Sequence, residues 1–235
     1  MVLIFCCYKK KIITGASRGI GKYLLEKYIG TGETVYGSFF STQPSPEYSR
    51  YYSKIDVANY SDVTNWISSI SLTNRIELIN CAGVNYDSFA HKADPSLWGK
   101  IIEINLVGTF NVIRALLPEM RKNNYGRIIN FSSVVAQIGI PGTSAYAASK
   151  SGLWGMTKAL AAENALKGIT VNSLNLGYFE IGMGEALSAE LQRKIKEKIP
   201  TNEFGDKKNI LNAVNFLIDS DYVNGTCLNI NGGLY

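Results

Sequence analysis

Runs rich in β-branched and apolar residues alternate with helix-periodic stretches from residue 11 to residue 230, and that alternation narrows the fold more than any other feature. Strand-like segments fall at 11–14, 34–39, 52–57, 76–80, 127–132, 169–174 and 227–230. Helical ones fall at 20–29, 61–71, 95–120, 145–167, 186–198 and 207–217, with Asp94 as a cap and Pro95 in the first turn of the longest. Strands joined through helices build a parallel sheet covered on both faces. The expected class is therefore α/β, a doubly wound parallel sheet flanked by helices. Such sheets bind ligands at the carboxyl ends of their strands, where strand order reverses. No repeat, long linker or compositional shift interrupts the pattern, so residues 11–235 read as one domain. Residues 1–10 read as an N-terminal extension or extra strand, and the polar, two-proline segment 41–53 reads as loop where this fold often carries a helix.

Between the first strand and the first helix lies Thr14-Gly15-Ala16-Ser17-Arg18-Gly19-Ile20-Gly21. Gly15 permits a tight turn, Gly19 lets backbone approach a pyrophosphate, and Gly21 lets helix and strand pack closely. The helix start then offers free N–H groups and a partial positive charge to the phosphates. An ordinary glycine-rich turn is the plainer alternative; the strand-turn-helix setting favours a dinucleotide site and hence a Rossmann fold. The second strand ends in Ser38-Phe39-Phe40-Ser41, without an acidic residue for the ribose hydroxyls. With Arg18 available for a phosphate, this favours NADP(H) and makes NAD(H) the second choice. Ser38, Ser41 or Thr42 would add hydroxyl donors. Asp56, with Val57 beside it, suits the adenine amino group, or is a capping aspartate. Asn80-Cys81-Ala82-Gly83 ends the fourth strand in small residues, as a cofactor crossing a strand end requires.

Tyr146 and Lys150 are spaced i, i+4 and share a helix face, and Ser133 lies thirteen residues before the tyrosine. Interconverting an alcohol and a ketone needs hydride transfer together with a proton donor or acceptor at the oxygen. A phenol of pKa about 10 is a poor base at neutral pH. A neighbouring ammonium favours the phenolate and is expected to draw that pKa down. A half-buried aromatic, a snorkelling lysine and a turn serine are the corresponding bland readings.

The remaining composition removes other classes. At 46% hydrophobic and 18% charged the chain is globular, and its net charge of +5 is mild. Lysines cluster at 9–11, 194–198 and 207–208 without interleaved aromatics, so no nucleic acid partner is expected and solvated faces are the default. Cys6, Cys7, Cys81 and Cys227 show neither metal-ligand nor disulfide spacing, and His91 has no ligand partners, so no metal is expected. No continuous apolar run reaches the roughly 20 residues that span a bilayer, and a cytoplasmic location is expected.

These motifs together resemble the short-chain dehydrogenase/reductase family over residues 11–234. The resemblance rests on residues 14–21, Asp56-Val57, residues 80–83, Asn105, Ser133, Tyr146, Lys150 and Asn231-Gly232-Gly233. It implies that Tyr146 is the acid/base, that Lys150 tunes it and binds the nicotinamide ribose, and that Ser133 orients the carbonyl. It implies that Asn105 holds a relay water. Gly15, Ser17, Arg18, Gly19, Ile20, Gly21, Ser38, Asp56, Val57, Asn80, Ala82, Gly83 and Phe179 are then the cofactor contacts. Residues 126–135, 145–150 and 225–233 resemble the 3-oxoacyl-[acyl-carrier-protein] reductases, which implies a 3-oxoacyl thioester substrate, fatty acid biosynthesis, and an acidic carrier protein met by Lys122 and Lys167. A ketosugar, polyol or small-ketone reductase is the enzymatic alternative; a catalytically silent dinucleotide sensor is the other. The helical regions 95–120 and 145–167 are expected to pair between copies in a homodimer or homotetramer, with Ala147, Ala148, Ser151, Gly152 and Gly155 allowing close packing. Departures from the family pattern are Leu176 before Gly177 in place of proline, Ile181 in place of threonine, Cys81 in place of asparagine, and Gly182 and Gly184 in the expected substrate lid, 178–200. Backbone groups around 179–181 are expected to compensate.

Overall fold

The computed structural model describes residues 9–72, 75–182 and 187–235. The expected N-terminal strand, Cys6, Cys7, Met183 and Gly184 lie outside those residues. In chain order the elements are β1 (Lys10–Thr14), α1 (Gly19–Gly30), β2 (Thr34–Phe39), β3 (Tyr52–Lys54), α2 (Tyr60–Ser69), β4 (Ile76–Asn80), α3 (Pro95–Ile102), α4 (Gly108–Asn123), β5 (Gly126–Ser133), α5 (Val135–Ile138), α6 (Ser144–Asn164), β6 (Ile169–Leu176), α7 (Ala189–Lys196), α8 (Lys208–Asp219) and β7 (Cys227–Ile230). The seven strands form one parallel sheet in the order β3-β2-β1-β4-β5-β6-β7, a Rossmann-like arrangement flanked by helices. The chain winds outward from β1 to β3, then restarts on the other side at β4. The switch point is thus the crevice between β1 and β4, at their carboxyl ends.

Neighbouring residues on each central strand serve opposite faces. Ile12, Leu78 and Ile128 pack with Val63 and Trp66 of α2, Val112 and Leu116 of α4, and Leu160 of α6. Ile13, Ile79 and Ile129 pack with Leu24 and Leu25 of α1 and Val214 and Leu217 of α8. Because both faces are covered, these strands are buried on both sides rather than alternating with exposed positions, and the polar residues among them, such as Glu77 and Asn130, are buried as well. Each fully enclosed Ile or Leu contributes roughly 1.5–3 kcal/mol.

Local chemistry sets the boundaries. Asn59 caps α2 through Ser61 and Asp62, and Asp94 caps α3 through Ser96 N (2.7 Å) and Leu97 N (3.3 Å), with Pro95 in the first turn. The third strand stops at Lys54 rather than 57, because Asp56 turns the chain by accepting from Ala58 N at 2.9 Å. The expected loop 41–53 holds a 3-10 turn, Pro46–Tyr51, and then β3. The short α5 was not foreseen; four residues carry too little periodicity to read. The helical region 95–120 is broken by a π-helical turn, Glu103–Val107, between α3 and α4.

By length and composition the helix Pro95–Asn123 would suffice to cross a bilayer, although no unbroken apolar run suggested it. Its Val112, Ile113, Leu116 and Met120 are fully enclosed in the core, which makes it a core helix.

At the opposite, amino end of the sheet the lysine cluster departs from a solvated face. Lys11 is buried between Glu77, itself wholly buried, and Glu33. Lys9 bridges Glu77 (3.6 Å) and Asp219 (3.3 Å), and Tyr125 donates to Glu77 at 3.1 Å. A buried lysine at a strand start is held only where carboxylates from neighbouring strands arrive beside it.

Candidate active site

The β1–α1 turn is shaped by contacts that leave no room for side chains. Gly15 has φ +61°, and a Cβ there would lie 2.6 Å from Ala82 Cα; one on Gly21 would lie 2.4 Å from the Gly15 carbonyl oxygen. Thr14 locks the two strand ends together, its hydroxyl accepting from Cys81 N and Ala82 N at 3.1 Å each. Tyr52 donates to the Ala16 carbonyl (2.8 Å), and Ala16 N donates to the Ser38 carbonyl (2.7 Å). No side chain caps the start of α1, and no acidic residue lies in its first turn. Its leading N–H groups therefore face a bare backbone cradle, with Ser17 half-buried and Arg18 exposed at its lip. These residues fit a dinucleotide pyrophosphate. Arg18 Nη2 reaches the Gly83 carbonyl at 3.5 Å, which spans the crevice from α1 to the end of β4.

Other expected cofactor contacts divide. Asp56 is half-buried beside the crevice, and the Val57 carbonyl accepts from Asn111 at 3.0 Å. Ala82 and Gly83 line the β4 end, while Ile20 turns into the core beneath α1. Asn80 is withdrawn into the sheet, donating to Asn130 at 3.0 Å and leaving its Oδ1 without a partner. Two residues are corrected. Ser38 is 1% exposed, so Ser41 and Thr42, both exposed, are the open hydroxyls at the end of β2. The Phe179 side chain is buried beneath Gly205, whose Cβ would strike its ring at 2.5 Å; only its backbone is left for a cofactor. The pleat of β2 sends the Ser38 side chain inward, and the bridge to Gly205 beyond β6 holds Phe179 there; no local motif reveals either. Beside Phe179, Tyr178 stacks on Phe204 with centroids 5.8 Å apart, and Gly182 approaches Gly19.

Ser133 ends β5, while Tyr146 and Lys150 lie one turn apart on α6; all three are almost wholly buried, at 9%, 8% and 6% exposure. The Ser133 hydroxyl lies close enough to the Tyr146 hydroxyl to favour its phenolate. Lys150 Nζ donates to the Phe131 carbonyl (2.7 Å) and lies 5.6 Å from the Tyr146 ring centroid. Burial, only partly offset by the Ser133 hydroxyl, pushes the phenol up to about 12. The expected depression by the ammonium does not prevail. Burial likewise pulls Lys150 down to about 8. Cys81 lies close enough to exchange charge effects with Lys150, and burial pushes its thiol up.

Asn105 sits in the π-helical turn, an irregularity that often accompanies functional sites. Its amide brackets Val84, accepting from its N–H and donating to its carbonyl at 2.9 Å each, and donates to Ser149 at 3.0 Å. Ser149 in turn donates to the Tyr146 carbonyl at 2.8 Å. The side chain is thus engaged with protein groups, which tie the π-helical turn to Val84 and to α6. Ser132, Trp154 and Asn175 carry no motif that marks them as site residues, and Thr14 entered only as the first residue of the glycine cluster. Only the spacing of Trp154, one turn beyond Lys150, hinted at the face they share. His91 occupies a surface 3-10 turn against Phe89. Among the described residues no group of three or more His, Cys, Asp or Glu is placed to hold a metal ion.

Known proteins similar to this chain fall in one family. The family model described as short chain dehydrogenase matches residues 9–192. The 3-oxoacyl-[acyl-carrier-protein] reductase FabG of Haemophilus influenzae is 35% identical, covering 97% of this chain and 98% of that protein. The protein of the same name from Staphylococcus aureus is 33% identical over 97% of this chain and 98% of its own length. The crystal structure of a 3-oxoacyl-[acyl-carrier protein] reductase from Brucella melitensis superposes with a TM-score of 0.89 at 27% identity, covering 97% of this chain and 92% of that one.

Proposed function

The chain belongs to the short-chain dehydrogenase family of oxidoreductases, and from that premise we propose that it reduces a 3-oxoacyl thioester to the secondary alcohol with NADPH. The observation that carries the reading is the meeting of Ser133, Tyr146 and Lys150 at the strand ends, beside the Gly15–Gly21 cradle. A bound nicotinamide dinucleotide supplies the hydride. Tyr146 donates a proton to the carbonyl oxygen, Ser133 orients that oxygen, and Lys150 stabilises the phenolate as it forms. A phenol near 12 holds its proton at neutral pH, which supports the reductive direction. Gly15, Ser17, Gly19, Gly21 and the α1 N-terminus would hold the pyrophosphate. Asp56, Val57, Ala82 and Gly83 would border the adenosine and ribose, and the backbone at 179–181 would meet the nicotinamide.

NADPH is preferred because Arg18 is exposed at the cradle and no carboxylate ends β2. The reading takes residues 11–235 as one domain with a substrate lid at 178–200, acting in the cytoplasm. Exposed Leu97, Val107 and Phe110 on the long helix support pairing of copies in a dimer or tetramer. Lys122, exposed, and Lys167, half-buried, suit an acidic carrier protein.

Following NADPH and NADH oxidation with acetoacetyl thioesters, ketosugars and small ketones tests the reading. Faster turnover of the thioester with NADPH is expected. Equal rates with NADH would defeat the Arg18 argument, and binding without turnover on any ketone would make the protein a sensor.

A pH dependence follows. Below pH 8 Lys150 is an ammonium; above it the charge is lost, while Tyr146 stays protonated to about 12. The kcat/KM for NADPH, which reports the free enzyme, is expected to fall about tenfold per unit above pH 8. A Lys150→Arg variant, if active, should carry its plateau beyond pH 10. A flat profile from pH 7 to 10 in the parent would contradict this assignment.

A further inference from the structure

Five side chains form a hydrogen-bonded ladder across the carboxyl ends of β5, β6 and β7. Gln137, on α5, donates to Asn229 Oδ1 at 3.0 Å, and Asn175 donates to the same oxygen at 3.1 Å. Trp154 Nε1 donates at 2.8 Å both to Asn175 Oδ1 and to Ser132 Oγ. Ser132 Oγ then donates to the main-chain carbonyl of Lys150 at 2.9 Å. Donors and acceptors alternate consistently along this path, and its inner members are deeply enclosed: Asn175 is 1% exposed and Ser132 4%.

We infer that Trp154 and Asn175 are positioning residues, which through Ser132 set the turn of α6 carrying Tyr146 and Lys150 against the strand carrying Ser133. This rests on the ketoreductase reading of the site. The placement explains why the inference is more than core packing. Ser132 is adjacent to Ser133 on β5, and Trp154 follows Lys150 by one helical turn on the face turned toward the sheet. A single indole N–H therefore joins both halves of the reacting group to β6. Hydrophobic contacts between α6 and the sheet hold the helix down but resist sliding along it weakly, whereas a directional hydrogen bond to the carbonyl at Lys150 fixes that turn.

The test uses Trp154→Phe, which keeps a ring and removes the donor, and the double variant Trp154→Phe/Asn175→Leu, which also removes the amide oxygen left unpaired while Asn229 Oδ1 keeps Gln137 as its donor. Pairwise replacement by apolar groups is close to neutral for stability, whereas orphaning one partner is not. The single variant is expected to melt lower than the parent, and the double variant to recover most of that loss. Both are expected to show kcat reduced roughly tenfold with KM for the ketone within about twofold, because position rather than binding is lost. The alkaline limb should also move up by half a unit or more, as water reaches Lys150 and relieves its burial. Recovery of kcat and of the limb along with the melting temperature would overturn the inference and leave the ladder purely structural. If the parent turns over no ketone, the ketoreductase reading fails by itself, and NADPH affinity then decides. Affinity at least fivefold weaker in the double variant supports the positioning of Lys150; unchanged affinity rejects it.

Discussion

Tyr146→Phe is expected to lower turnover about a thousandfold while NADPH affinity stays within a fewfold of the parent. The substitution deletes one oxygen from an enclosed ring beside Ser133. A positioned general acid accounts for roughly 10²–10⁴ in rate, and a thousandfold corresponds to about 4 kcal/mol of transition-state stabilisation. The structural cost is much smaller. Ser133 loses a polar neighbour but still accepts from Val135 N at 3.2 Å, so the loss is on the order of 1 kcal/mol. Steady-state rates, NADPH fluorescence titration and thermal melting on the same preparation separate the two effects. Retained turnover would remove Tyr146 from the chemistry, and lost NADPH binding with a lowered melting point would make it a structural residue.

Gly15→Ala is expected to damage both the cradle and the fold. The left-handed backbone at φ +61° costs an L side chain roughly 1–2 kcal/mol. The new methyl would then stand 2.6 Å from Ala82 Cα and 2.8 Å from Ala82 N, backbone that Thr14 clamps in place. Overpacking of this kind adds about 1–3 kcal/mol. A total near 3 kcal/mol lowers the melting temperature by roughly 6–12 °C in a chain of this size. Pushing the β4 end away from the turn also widens the crevice, so NADPH affinity should fall at least tenfold. Gly99→Ala is the control: it lies in α3 with nothing within 4 Å of the added atom, and should be neutral or slightly stabilising. Melting curves and NADPH titrations of the two variants check this. Equal behaviour would show that the contact at Ala82 yields freely.

The two expected outcomes draw on different kinds of information. That Tyr146 and Lys150 share a face follows from helical period alone. That their surroundings raise the phenol to about 12 and lower the ammonium to about 8 does not, because burial is supplied by β5, β6 and the loop after β4. Reasoning from the pair alone therefore had the direction of the phenol's shift reversed. Gly15 similarly advertises a turn, but the Ala82 backbone sixty-seven residues later makes that glycine necessary.

Whatever depends on neighbours a few residues away was legible in the chain itself: the strand and helix alternation, the Asp94 cap with Pro95, the glycine turn and the i, i+4 pair. These signals are local because backbone hydrogen bonding and side-chain period repeat over one to three turns or strands. The tertiary structure alone decided that Lys11 is buried against Glu77 rather than solvated, that Ser38 and Phe179 turn inward, and that Asn105 lies in a π-helical turn bracketing Val84. It also joined Trp154 to Asn175 and Ser132. Each of those outcomes depends on which side chains distant strands bring opposite one another, and a buried polar group is tolerated only where that meeting supplies its partner.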